Sequence, residues 1–123
     1  MRQILAGIKK GEPLHLSPDM DFGRSESIFV PFMGVEKAAT VPSLSRLSKV
    51  AGARVVPVVT RMTDAGYDIE VHAPLADFPS DDVVQDTARM NRLLAEWVRS
   101  MPEQYYWVHK RLKTRPEGEP SFY

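Results

Sequence analysis

The stretch Ala53–Thr60 constrains the fold more than any other. Val55, Val56, Val58 and Val59 are nearly continuous, and a β-branched run that is apolar on both faces reads as a buried parallel strand. Ahead of it, Val41, Leu44, Leu47, Val50 and Ala51 recur at helical spacing. Thr40 is placed to cap that helix, Pro42 sits near its first turn and Gly52 stops it at about Ala51. Earlier still, Leu14–Ser17 reads as a short strand. Strand, helix and strand make a βαβ unit with a right-handed crossover. The expected class is α/β: part of a mixed, mostly parallel sheet flanked by helices.

The other segments fit around this unit. Residues 2 to 10 read as a helix with Ile4, Leu5 and Ile8 on one side, stopped by Gly11 with Pro13 beyond. Its start has no N-cap, so we expect chain to precede Met1. Pro18–Ser27 is a polar loop. Ile28–Phe32 is extended, and Pro31 keeps it from being a central strand. A turn at Thr63–Gly66 returns the chain into Tyr67–His72, the antiparallel partner of the valine strand, with Tyr67, Ile69 and Val71 on one face. Ser80 caps a long helix with Asp81 and Asp82 in its first turn. Its inner stripe is Val83, Val84, Thr87, Met90, Leu94, Trp97, Val98 and Met101, and Asn91 within it requires a hydrogen-bond partner if buried. Pro102 starts a terminal helix through Val108, and Lys110–Tyr123, with Pro116, Gly118 and Pro120, is irregular.

Composition removes several function classes. At 123 residues the chain is sized for one domain, and 43% hydrophobic with 26% charged residues suits a folded one. A net charge of zero argues against whole-surface attraction to nucleic acid. The charges are nevertheless segregated: residues 62 to 88 carry seven acids and no lysine or arginine, whereas residues 110 to 115 carry Lys110, Arg111, Lys113 and Arg115 without an acid. There is no cysteine, so disulfides, thiolate metal sites and cysteine nucleophiles are excluded. No apolar run approaches the roughly 18 residues of a transmembrane helix. The first residues lack the pattern of a signal peptide.

The candidate chemistry centres on Leu14–Phe32, where a short apolar run ends at Pro18 and gives way to Asp19, Asp21, Gly23 and Arg24. Ligands in open α/β sheets sit outside the carboxyl ends of strands. Two readings stand for the acids. They bind a divalent cation as paired oxygen donors, or they cap backbone amides in a turn. A strand followed by D-x-D also admits a metal-dependent phosphatase using Asp19, although Phe22-Gly23 stands where a hydroxyl residue is wanted. His15, His72 and His109 show no metal-ligand spacing, and no serine lies in a nucleophile elbow. Tyr105–Arg115, YYWVHKRLKTR, mixes aromatics with basic residues. It reads either as a surface for anionic headgroups or an acidic partner, or as a terminal helix whose aromatics pack inward.

Pro102-Glu103-Gln104-Tyr105-x-Trp107-x-His109-x-Arg111-x-Lys113-Thr114-Arg115-Pro116-Glu117-Gly118 resembles the C-terminal signature of the lipid A biosynthesis lauroyl/myristoyl acyltransferases, within the lysophospholipid acyltransferase superfamily. Pro18-Asp19-x-Asp21-Phe22-Gly23, Phe29-Val30-Pro31-Phe32-x-Gly34, Ala38-Ala39-Thr40 and Gly52-Ala53-x-Val55-Val56-Pro57 continue the likeness in order, over essentially the whole chain.

The resemblance implies a glycerolphosphate acyltransferase-like fold, of which residues 1–123 are the C-terminal part of a single acyltransferase domain. The family's membrane-anchoring helix and its H-x-x-x-x-D/E catalytic dyad lie upstream. His15 and Asp19 are one residue short of that spacing and lie in a different motif, so neither is assigned to the dyad. The implied reaction moves a fatty acyl group from acyl carrier protein to a hydroxyl of a Kdo-bearing lipid A precursor. It uses no cofactor beyond the thioester co-substrate and takes place at the cytoplasmic face of the bacterial inner membrane. Asp19, Asp21, Gly23 and Arg24 are the implied substrate-binding positions. Arg54, Arg61, Lys110, Arg111, Lys113 and Arg115 are candidate phosphate or acyl-carrier contacts. A non-catalytic remnant or binding module is the alternative.

Overall fold

A computed structural model describes residues 2–123. It is mixed α/β, but the mostly parallel sheet expected from the sequence is replaced by two separate two-stranded antiparallel sheets. In chain order the elements are α1 (Arg2–Lys9), β1 (Ile28–Phe32), β2 (Val35–Thr40), α2 (Ser43–Ala51), β3 (Val58–Thr63), β4 (Gly66–Val71) and α3 (Val83–Ser100). No helix among the described residues is long and apolar enough to cross a membrane.

The first hairpin was only half visible. β1 stands where an extended run was expected, but β2, sequence VEKAAT, carries little β propensity. The turn between them is the missed signal. Met33 and Gly34 have φ of 52° and 85°, positive at both central residues as a two-residue type I′ turn requires. Ile28 pairs with Thr40 and Phe32 with Val35, and the register breaks between Val30 and Phe32, at Pro31. Proline thus sits at an irregularity in a two-stranded ladder, where its missing N–H costs little.

Thr40 ends β2 and does not cap α2; Pro42 occupies the N-cap without a side-chain hydrogen bond. Gly52 closes α2 as expected, with a left-handed φ of 65°. Only one side of the helix is covered, and Val50 is exposed.

The valine run is not a buried parallel strand. Regular pairing starts at Val58, and β3 runs antiparallel to β4 from Val58↔Val71 to Thr63↔Gly66. Val55 and Pro57 only accept single bonds, from Leu75 N and His72 N. Pro57 has no N–H to extend a ladder. Leu14–Ser17, lying between Pro13 and Pro18, forms no strand and pairs with nothing among the described residues. Without that strand there is no βαβ unit. The expected turn and antiparallel partner are present. Tyr67, Ile69 and Val71 share a face as read, and that face is open to solvent, each residue being 67–70% exposed.

α3 is capped two residues beyond Ser80. Asp82 is the N-cap, its carboxylate accepting from Val84 N and Gln85 N at 2.9 and 3.0 Å. Ser80 closes the turn before it, its Oγ accepting from Asp82 N. α3 packs on β1 and forms the core with it: Phe32, Ala38 and Ala95 are buried, with Leu94, Tyr105 and Leu112 against them. Asn91 is fully buried and half satisfied: its Nδ2 donates to Pro31 O at 3.1 Å and Thr40 Oγ1 at 3.0 Å, while its Oδ1 is buried without a partner. Val84, assigned to the inner stripe, is exposed. Beyond α3, the expected terminal helix is two 3-10 turns, Pro102–Gln104 and Trp107–His109, because Tyr105 adopts an extended backbone between them. Residues 110–123 form no helix or strand, as expected.

Candidate functional site: the Asp19 loop and its cationic floor

The two halves of the sequence signature meet in space. Asp21 is 5% exposed, and its carboxylate is committed on both sides. One oxygen accepts from Gly23 N at 2.9 Å, an Asx turn within the loop. The other accepts from Thr114 N at 2.9 Å, across 93 residues of sequence. Arg24 adds a second tie, donating from Nη2 to Arg115 O at 3.0 Å. Of the two readings of the paired acids, turn capping therefore describes Asp21. Gly23, at φ 92°, holds a backbone conformation that side-chain-bearing residues rarely adopt.

Asp19 is different. It sits in the turn after Pro18, half-buried, on the wall of a groove of ≈ 690 Å³. That groove is lined mainly by apolar side chains from the Leu14–Leu16 segment, α2 and α3, among them Leu44, Leu47, Leu93 and Leu94. Its volume lies in the range of small-molecule sites, ~300–1,000 Å³. Asp19 and Tyr105 are neighbouring polar groups on its wall, which also carries Glu12, His15 and Arg54. The Tyr105 hydroxyl is buried without a hydrogen-bond partner. Burial pushes its pKa up, and the Asp19 charge beside it pushes further, while Arg111 pulls the other way. The carboxylate therefore lies close to the phenol.

Arg111 lies beneath both. A candidate phosphate or acyl-carrier contact from the sequence, it is 2% exposed, and its donors are committed inside the fold. Its guanidinium donates to Ala39 O at 2.6 Å and Thr40 Oγ1 at 2.8 Å, and stands 4.9 Å over the Phe32 ring. Burial lowers its pKa, and the negative potential of Tyr105, Asp19 and Asp21 opposes that. A guanidinium is permanently charged and donates as a rigid fork, so it fixes positive potential under the loop. Arg115 also turns inward, donating to Lys37 O at 2.8 Å and pairing with Glu119. Its free cationic surface is small.

The remaining candidates lie elsewhere. Arg54 is exposed on another part of the groove wall. Arg61 ties β3 to the end of α3 through Ser100, with bonds of 3.3 and 3.4 Å. Lys110 and Lys113 are exposed. His15 is exposed and contacts only Ser17, at 3.3 Å. Among the described residues no group of three His, Asp or Glu side chains gathers to hold a metal ion, so the phosphatase reading gains no support from the geometry. Sequence reasoning missed Tyr105 as a site residue, although it opens the aromatic and basic run Tyr105–Arg115 and stands in the C-terminal signature.

A family model described as bacterial lipid A biosynthesis acyltransferase matches residues 1–114. The lipid A biosynthesis lauroyltransferase of Escherichia coli (strain K12) is 39% identical over 125 residues, covering 100% of this chain and 41% of that protein. The palmitoleoyltransferase of the same organism is also 39% identical, covering 100% and 40%. Its myristoyltransferase is 36% identical, covering 97% and 37%. The chain thus spans about two fifths of the length of these relatives. Because the family model covers residues 1–114 of the 123, the chain belongs to the bacterial lipid A biosynthesis acyltransferase family.

Proposed function

We propose that this chain is the acceptor-side, C-terminal part of a late acyltransferase of lipid A biosynthesis. In the complete enzyme, an upstream histidine paired with an acid takes the proton from a hydroxyl of a Kdo-bearing lipid A precursor. The resulting oxygen nucleophile attacks the thioester carbonyl of an acyl carrier protein, an ester forms, and the carrier thiol leaves. The thioester is the co-substrate, and no other cofactor enters. The work takes place at the cytoplasmic face of the inner membrane. Asp19 is a positioning group: it accepts a hydrogen bond from the acceptor in the groove. Asp21, Gly23 and Arg24 hold its loop in place.

The observation that carries this reading is the family match across residues 1–114 together with Asp19 being the one carboxylate of its loop left free to face a groove. Charge-assisted hydrogen bonds are the strong ones, and a carboxylate already committed to two backbone amides, as Asp21 is, has less to offer a substrate.

The coding sequence upstream of the Met1 codon tests the proposal. An in-frame H-x-x-x-x-D/E motif there, and acyl transfer by the longer product, is the expected result. A stop codon in frame, with no transfer by the chain supplied with carrier thioester and precursor, would instead make this a non-catalytic remnant.

A further inference from the structure

The basic residues of the C-terminal signature divide into two sets. Arg111 and Arg115 point inward and spend their donors on Ala39, Thr40, Lys37 and Glu119. Lys110 and Lys113 point outward, and neither has a carboxylate partner among the described residues. They flank a turn in which Lys113 N donates to Lys110 O at 3.0 Å. No acid occurs between Gln104 and Pro116.

The segment just before that turn, around the 3-10 turn Trp107–His109, presents a row of apolar side chains to solvent. Tyr106 is 66% exposed, Trp107 49% and Val108 78%. The Trp107 indole N–H is already satisfied by Pro102 O at 2.8 Å, and its ring packs edge-on with Tyr105 at 4.8 Å between centroids, so the half of the indole left to solvent is apolar surface. Tyr106 stacks on His109 with ring centroids 5.8 Å apart. A core explanation for these aromatics does not hold, because they are outside. Packing into the core is done by Tyr105 alone.

We propose that the Tyr106–Val108 ridge, with Lys110 and Lys113 behind it, docks on the surface of an anionic lipid bilayer. Tyrosine and tryptophan favour the headgroup level, where one end of the side chain is wet and the other apolar. Lysines set just behind such residues gain from the negative surface potential of anionic lipid. An acidic protein would also attract the lysines, but it gives no use for an exposed valine and an open indole face at the tip. The docked orientation is independent of the acyl-transfer reading.

The test uses the whole chain with vesicles of phosphatidylcholine mixed with phosphatidylglycerol, read by co-sedimentation and by quenching of tryptophan fluorescence with brominated lipid. Wild type binds and is quenched. Lys110→Gln with Lys113→Gln weakens binding about thirtyfold, taking about fivefold for each lysine near the surface. Trp107→Ser with Val108→Ser removes both the binding and the quenching. Tyr67→Ser with Ile69→Ser, on the other exposed apolar face, leaves binding unchanged. Circular dichroism of each variant must match wild type, and these side chains are exposed enough that it should. The proposal is overturned if wild type ignores the vesicles, or if the lysine pair binds as wild type does. It is equally overturned if the β4 variants are the ones that lose binding, or if the lysines matter only for acidic acyl carrier protein.

Discussion

Replacing Arg111 by methionine probes the least expected feature of the fold. The substitution keeps a long apolar stem but removes two charge-assisted hydrogen bonds, to Ala39 O at 2.6 Å and Thr40 Oγ1 at 2.8 Å. Bonds to charged groups contribute about 1.5–3 kcal/mol each. Removing a guanidinium that is 2% exposed also relieves its desolvation, which offsets part of that loss, as replacements of buried charges by apolar groups have taught. The two terms leave a net destabilisation of about 3 kcal/mol. For a chain of this size the urea slope is about 1.5–2 kcal/mol per M, so the midpoint falls by about 1.5–2 M. Arg111→Lys should lose much of the same stability, since an ammonium cannot reproduce the fork. Lys113→Met, at an exposed site, should stay within about 0.5 kcal/mol of wild type. Equilibrium urea unfolding of the three variants decides. If Arg111→Met unfolds at the wild-type midpoint, the buried cation supports nothing.

Two further outcomes follow from local geometry. Asp82→Ala removes the acceptor for Val84 N and Gln85 N at the start of α3 and should cost about 1 kcal/mol by the same unfolding measurement, whereas Ser80→Ala should cost α3 less as a cap. Asp86 is buried, which opposes its ionisation, but hydrogen bonds from Ser45 and Ser80 outweigh this and hold its pKa below the ordinary carboxylate value. A depressed folded pKa contributes stability that is complete above the unfolded value, near 4, and is lost as pH falls through the folded one. Ser45→Ala, which deletes the 2.6 Å bond, should therefore cost about 1–2 kcal/mol at neutral pH. The difference from wild type should narrow in acid below about pH 4, as followed by circular dichroism; a difference that widens there would contradict the assignment.

What could be read from the sequence was local. The Thr63–Gly66 turn with its returning strand, the Gly52 stop, the long helix and the irregular tail all follow from nearby residues, and so did the demand that Asn91 find a partner. The parallel sheet failed because an all-valine stretch is equally at home in a short antiparallel hairpin, and Pro57 limits where its ladder can begin. β2 was missed because VEKAAT is extended by its turn and by its pairing with Ile28–Phe32, not by its own propensity. The burial of Arg111 was missed for a similar reason. Arginine is rarely buried, and its acceptors, Ala39 and Thr40, lie some 70 residues away, at separations of 72 and 71. At the site, D-x-D spacing could not say which acid turns inward. Burial and the Gly23 and Thr114 bonds separate Asp21, committed to the fold, from Asp19, which faces the groove.

The central claim is that residues 1–123 supply the acceptor side of a lipid A acyltransferase, with Asp19 as its positioning carboxylate. The most direct measurement exchanges this chain for the matching stretch of the Escherichia coli lauroyltransferase and follows acyl transfer to the Kdo-bearing precursor. The account predicts an active chimera whose kcat falls about a hundredfold in Asp19→Asn, the loss expected when a reacting group is misplaced, with folding unchanged. Asp21→Asn should act instead through stability. An active chimera that is indifferent to Asp19→Asn, or one that is inert although folded, would contradict it.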